Sequence, residues 1–210
     1  ATFLATHVDA AWKAAHVDTF VSLSGVMAGS SIAPLALGAG VFGSAPAALR
    51  PFTKTLVRSM ASVAWLLPGA ALEPARAWVH TPSRAFTAAE LPAWLERVGA
   101  AQAADVARAT QRFSGAAIRP AVPTLCIVGY GIPTLAELTY ASDTDGDALL
   151  NATTQDGDGT VLTPSLDCDQ LWPAGGDQQT QTIRLFNISH GAMLSNLDAA
   201  SAFLQVLTRP

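Results

Sequence analysis

Charge is what this sequence has least of. Asp, Glu, Lys and Arg make up 13% of its 210 residues, about half the usual share, and lysine occurs only at Lys13 and Lys54. The net charge of −4 and the pI near 5.4 leave no basic stripe, which excludes nucleic acid as a partner because phosphate recognition needs clustered Lys and Arg. There is no CxxC, and the four histidines do not fall at zinc-ligand spacing. The pattern asks for no metal and no cofactor. No G-x-S-x-G occurs either. No signal peptide opens the chain: Ala1 stands inside an amphipathic pattern already under way (Leu4, Val8, Ala11, Trp12, Ala15). The expectation is therefore a C-terminal piece of a longer protein.

The stretch from Thr19 to Leu49 has no charged residue. A membrane-spanning helix needs about 20 predominantly apolar residues, whereas this stretch is rich in Gly, Ser and Ala and carries Pro34 in its middle. It reads as a buried strand ending near Ser24-Gly25, followed by a loop over 26–50. With 50% apolar residues the chain can bury a full core and forms one domain or most of one.

Periodicity sets the remaining elements. A helix is expected over 1–15 and a strand over 17–23. Residues 51–112 look helical, with a capping box at Thr87-Ala88-Ala89-Glu90 and Leu91, Trp94, Leu95 and Val98 at helical spacing. "VPTLCIVGYG" (122–131) is an apolar run stopped by a glycine pair, the clearest strand, and "QTIRLFNIS" (181–189) is the last one. "LSNLDAASAFLQVL" closes the chain as a helix with Leu197, Ala200, Phe203, Leu204 and Leu207 on one face. Strands separated by helical segments indicate an α/β fold with a largely parallel sheet.

"DTDGDALLNATTQDGDGTV" (143–161) concentrates five aspartates. An EF-hand loop wants oxygen ligands at positions 1, 3 and 5, Gly at 6 and Glu at 12. Counting from Asp143 puts Ala148 at 6 and Thr154 at 12; counting from Thr154 puts Ser165 at 12. Neither frame completes a calcium loop, and a solvated acidic turn fits Asp143, Asp145 and Asp147 better. The last hexapeptide fits different chemistry. In α/β hydrolases the acid and then the histidine follow successive strands, and Asp158 and His190 stand in that order, each in a loop after an expected strand. Such an acid holds one imidazole nitrogen while the other deprotonates a nucleophile. His7, His16 and His80 have no comparable setting. The nearest approach to a nucleophile elbow, Ser31 in Gly29-Ser30-Ser31-Ile32-Ala33, lacks the second glycine. Cys126 and Cys168 could bridge or remain free thiols on count alone. The sequons Asn151-Ala152-Thr153 and Asn187-Ile188-Ser189 tilt toward a secretory route.

Together "AAWKAAHVDTFVSLSG", "VAWLLP", "VHTPSRAFTAAEL", "VPTLCIVGYGIPT", "DGDGTVLTPSLDC" and "ISHGAMLSN" resemble the lecithin:cholesterol acyltransferase family, which includes lysosomal phospholipase A2 and phospholipid:diacylglycerol acyltransferases. The resemblance implies the C-terminal part of an α/β-hydrolase fold with a mostly helical cap insertion: core over 1–50, cap over 51–112, and core over 113–210. It implies Asp158 and His190 as catalytic acid and histidine, a Cys126–Cys168 disulfide, and a nucleophilic Ser a few residues before Ala1, absent from this chain. Where relatives carry Pro-Trp-Gly-Gly, "GVMAGS" loses the aromatic. The implied activity attacks a glycerophospholipid ester through an acyl-enzyme and passes the acyl group to water, a sterol or a diacylglycerol at a transient membrane or lipoprotein surface. It implies no cofactor, a secretory location, and no activity in the 210 residues alone. A different class on the same scaffold is a non-catalytic lipid-binding pseudoenzyme.

Overall fold

The computed structural model describes residues 1–41, 46–114, 118–172 and 179–208. The helices are α1 (Thr2–His7), α2 (Ala10–His16), α3 (Ile32–Ala39), α4 (Arg50–Ser59), α5 (Ala61–Trp65), α6 (Leu91–Arg97), α7 (Ala101–Ser114), α8 (Thr163–Leu166), α9 (Cys168–Leu171) and α10 (Leu197–Leu207). The strands are β1 (Phe20–Leu23), β2 (Ala77–His80), β3 (Ala85–Thr87), β4 (Thr124–Tyr130), β5 (Ile132–Tyr140), β6 (Leu149–Gly157) and β7 (Thr180–Phe186). This is a mixed α/β protein, and it divides into two units. One comprises Ala1–Met27, Ala117–Thr134 and Asp156–Pro210; the other comprises Ala28–Ala116 and Leu135–Gln155.

In the first unit β1, β4 and β7 form a parallel sheet with β4 in the middle. Its registers run from Phe20↔Thr124 on one side to Tyr130↔Phe186 on the other. A central parallel strand is covered on both faces, so it must be apolar without alternation; every β4 residue from Thr124 to Gly129 is buried. Successive side chains point to opposite faces. Cys126 and Val128 therefore pack with Val161, Leu166, Cys168 and Trp172, while Leu125 and Ile127 pack with Met193, Ala199 and Ala202. Each such large apolar side chain stabilises by about 1.5–3 kcal/mol on burial. Cys126 and Cys168 form the disulfide, with Cα atoms 6.1 Å apart, closing a separation of 42 residues.

Three expectations change here. The first helix is broken at Val8–Asp9, because the Asp9 carboxylate accepts from the Trp12 amide at 2.8 Å and starts α2 as a new helix. The strand after it is shorter, Phe20–Leu23. The closing helix buries a shifted face: Ala199 and Ala202 are buried and Phe203 of the expected face packs with their cluster, whereas Leu197 and Leu204 are exposed. Small alanines let the helix approach the sheet closely, and the leucine stripe is left to the outside. The side chain of Leu207 lies outside the described residues.

In the second unit residues 26–50 are not all loop, since α3 is a helix with most of its residues buried. A helix buried nearly all round shows no amphipathic period, and Pro34 falls in its first turn, where the missing N–H breaks no internal bond. Gly38 has no room for a side chain: a Cβ there would stand 2.8 Å from the ring of Trp94, which itself packs 5.4 Å from Tyr140. The capping box is present, with Thr87 and Glu90 satisfying one another's exposed groups. The strands β2 and β3 and the sheet β3-β2-β5-β6 were not expected, and His80 ends β2. Among the described residues no helix is long and apolar enough to cross a membrane.

The disulfide spans the whole segment that leads from β4 to the acid loop. Replacing Cys126 and Cys168 together by Ala should lower stability by about 4 kcal/mol from lost loop closure alone. Urea unfolding of the purified chain measures this, and a loss below about 1 kcal/mol would contradict it.

Candidate active site

The parallel strands β4 and β7 end side by side at Tyr130 and Phe186, whose rings meet edge to face at 5.5 Å. Loops beyond the carboxyl ends of parallel strands are where such sheets hold their chemistry. Two of these loops bring Asp158 and His190 together.

Asp158 lies in a tight turn. Its amide donates to the Val161 carbonyl at 3.1 Å, and Gly159 supplies the left-handed backbone, φ 86°, that the turn requires. The turn is fastened from several sides. Ile132 and Asp158 form a parallel bridge, and Gly157 and Leu162 an antiparallel one. Thr134 Oγ1 accepts from the Gly159 amide at 2.8 Å. Asp156 accepts from the Gly131 amide at 2.7 Å and from the Thr163 hydroxyl at 2.5 Å. Asp156 thus ties the end of β4 to the start of α8, across the segment that carries Asp158.

The Asp158 side chain is 0% exposed. A carboxylate this deep must be supplied with donors. Oδ1 accepts from the Thr160 and Val161 amides at 3.0 and 2.8 Å, and Oδ2 faces His190 Nδ1 at 2.7 Å. The backbone repeats the link, since the His190 amide donates to the Asp158 carbonyl at 2.9 Å. Facing a carboxylate oxygen, Nδ1 carries the hydrogen, and in the neutral ring Nε2 then keeps the lone pair. The hydrogen bond to Asp158 is the largest influence on His190 and, with the negative charge of that carboxylate, raises the imidazole pKa above its ordinary value; partial burial opposes this.

The histidine loop comes close to the sheet. Asn187, in left-handed conformation at φ 58°, donates its amide to the Tyr130 carbonyl at 2.7 Å. A Cβ on Gly129 would lie 1.9 Å from the Ile188 carbonyl oxygen and 3.2 Å from the Asp158 Cβ. Only glycine permits that approach. The sequence marks Gly129 simply as the stop of a strand, and the contact that requires it is not local. Ile188 and Met193 anchor the loop in the cluster beneath.

The other candidates go elsewhere. Ser31 is buried and its hydroxyl donates to the Leu135 carbonyl. His7 stacks on Phe3, His16 tilts against Trp12, and His80 pairs with Glu137 at 3.2 Å. Asp143 accepts from Ser83, Asp145 from the Asp147 amide, and Asp147 pairs with Lys54 at 2.8 Å. Among the described residues no cluster of His, Cys, Asp and Glu is arranged to hold a metal. An imidazole held in this way can move a proton through Nε2, with the carboxylate fixing the ring and balancing its charge.

Residues 1–97 match the family model described as lecithin:cholesterol acyltransferase. The chain is 30% identical over 203 residues to a lysosomal phospholipase A and acyltransferase of Canis lupus familiaris, covering 95% of this chain and 49% of the relative. It is 28% identical over 202 residues to the protein of the same name from Homo sapiens, with 95% and 48% covered. A lecithin-cholesterol acyltransferase-like 1 protein of Oryza sativa subsp. japonica is 26% identical over 193 residues, with 89% and 43% covered. The chain spans about half the length of the curated relatives it matches.

His190 should titrate above about 6.5, the ordinary imidazole value, and Asp158→Asn should bring it back toward that value; nitrogen-detected NMR of the ring reads both. Because the folded pKa is the higher one, this pair stabilises fully below the unfolded pKa and its contribution fades as pH rises through the folded one. Thermal unfolding of the native chain and of His190→Gln should then converge toward alkaline pH. Separately, Gly129→Ala should destabilise by about 3 kcal/mol or more, since the obstruction is a backbone oxygen that no rotamer change relieves. Calorimetry showing no loss would contradict the close approach.

Proposed function

As the chain belongs to the lecithin:cholesterol acyltransferase family, we propose that Asp158 and His190 are the acid and base of a Ser-Asp-His triad. Its serine is supplied from outside these 210 residues. The observation that carries this reading is the 2.7 Å contact from a wholly buried carboxylate to a half-buried imidazole, with the second nitrogen left for a nucleophile. Among the described residues no serine hydroxyl is hydrogen-bonded to His190, and Ser31 is engaged with Leu135.

In this reading the chain is the C-terminal part of an α/β hydrolase, with core segments 1–50 and 113–210 and a cap-like insertion over 51–112. The intact protein cleaves an acyl ester of a glycerophospholipid. Serine Oγ attacks the carbonyl as Nε2 takes its proton, and Asp158 stabilises the imidazolium. The proton returns to the leaving oxygen, and the acyl-enzyme is resolved by water, a sterol or a diacylglycerol. Partly exposed Trp65, stacked on Phe113 at 6.1 Å, is suited to a transient lipid surface. A secretory location accords with the disulfide, which persists in oxidising compartments.

The test is acyl release and transfer from phospholipid vesicles by the full-length polypeptide. His190→Ala and Asp158→Asn should each lower turnover by about 10³–10⁴-fold. The native rate should rise with pH as His190 loses its proton, because only the neutral ring accepts one. The 210 residues alone should hydrolyse no ester. Hydrolysis by them that Ser31→Ala abolishes would overturn the assignment, and a full-length protein that binds vesicles without turnover would show a scaffold that has lost its chemistry.

A further inference from the structure

We propose that Asn151 is an N-glycan acceptor and that its glycan shields the open edge of β6. The strand β6 is the terminal strand in the order β3-β2-β5-β6, and of its nine residues only Gly157 is buried. Among the described residues no strand pairs with its outer side, and a long strand so placed offers unpaired backbone groups to any other chain. Proteins usually blunt such an edge with lysine, proline, a covering segment or a charge pointing inward. The sequence from Leu149 to Gly157 contains neither lysine nor proline. It instead exposes two leucines, Leu149 and Leu150, the latter at 71%.

The sequon Asn151-Ala152-Thr153 lies on this strand. Period-two geometry puts Asn151 and Thr153 on one face beside Leu149. Thr153 Oγ1 accepts from the Glu137 amide at 3.1 Å, whereas the exposed Asn151 side chain has no hydrogen-bond partner among the described residues. No packing role accounts for it. The second sequon is different, because the structure itself explains both of its polar residues. Asn187 holds a left-handed φ of 58°, which asparagine tolerates better than most residues. Ser189 Oγ accepts from the Ala192 amide at 3.3 Å at the base of the histidine loop. A glycan there would also crowd His190. The buried disulfide is suited to the same oxidising compartment in which N-glycans are added.

The group transferred comes from a lipid-diphosphate-linked oligosaccharide. Asn151 Nδ2 bonds to the first sugar carbon and loses one proton. The bond from that carbon to the diphosphate oxygen breaks, and the lipid diphosphate leaves with its electron pair. No oxidation or reduction is involved. The proposal rests on the secretory route described above and is independent of the triad.

The test exports the full-length polypeptide through a yeast secretory pathway on a host signal peptide. Peptides from cells and medium together are then mapped by mass spectrometry before and after peptide N-glycosidase in heavy-oxygen water. The Asn151 peptide should carry the glycan in most molecules; Asn151→Gln and Thr153→Ala should lose it, while Thr153→Ser and Asn187→Gln keep it. A bare Asn151 in exported protein with Cys126 and Cys168 bridged overturns the site and leaves the route intact. A glycan confined to Asn187 overturns it as well. In sedimentation, Asn151→Gln and Thr153→Ala should self-associate at concentrations where the glycosylated protein is monomeric, and monomers throughout would overturn the shielding role.

Discussion

An ionised carboxylate taken wholly out of water costs several kcal/mol unless its lone pairs are met, and the loop around Asp158 is shaped by that demand. Two donors come from its own turn, the amides of Thr160 and Val161, and the third comes from His190. The turn can present both amides only because Gly159 takes a left-handed φ. It can sit against the sheet only because Gly157 lacks a side chain, since a Cβ there would meet the Thr134 hydroxyl and the Val161 carbonyl, each at 2.4 Å. "DGDGTV" is thus a set of steric permissions around one acid. Asp156, which the sequence leaves as a neighbour without a role, is the outer fastening: it draws the Gly131 amide and the Thr163 hydroxyl onto one carboxylate.

A second buried carboxylate, Asp167, repeats this solution on the covered face of β4. It caps α9 through the Asp169 amide and accepts from Gln170 and from Arg184 of β7, the Arg184 Nε at 2.8 Å. That hydrogen bond with Asp167 is the leading reason the Arg184 pKa is raised. The adjacent Cys168 is bonded to Cys126 of β4. One short helix is therefore fixed to two neighbouring strands, covalently to one and by an ion pair to the other. The acid loop runs between β4 and α9, so both ends of its route are held independently of the contacts the loop itself makes.

What the sequence makes legible follows from how local the cause is. β4 reads at once because burial on both faces forces an unbroken apolar run, and Asp158 and His190, which the structure brings together, stand out in the sequence through a turn motif and their order along the chain. The capping box at Thr87 is local as well. β5 is not legible although its buried residues Thr134, Ala136, Leu138 and Tyr140 alternate, since Leu-Ala-Glu-Leu carries strong helix formers and Pro133 breaks the pattern. β6 has almost no buried side chain to mark a period, so nothing in its composition separates it from a turn. Burial on nearly every side hides α3, and in α10 apolar content does not mark contact, since Leu197 and Leu204 are exposed while Ala199 and Ala202 meet the core. Gly129 could not be read in advance: the Ile188 carbonyl it admits is 59 positions along the numbering.

The dyad also sets two opposed influences on one imidazole. The same hydrogen bond that aligns the imidazole makes it harder to deprotonate, and a base is useful only in its neutral form. Strengthening the Asp158 contact would orient the ring better while reducing the fraction able to accept a proton at a given pH. Burial acts the other way, lowering the pKa by disfavouring the charged ring, and the His190 side chain is at present 33% exposed. Removing that exposed edge from water would strengthen the desolvation that opposes the Asp158 bond.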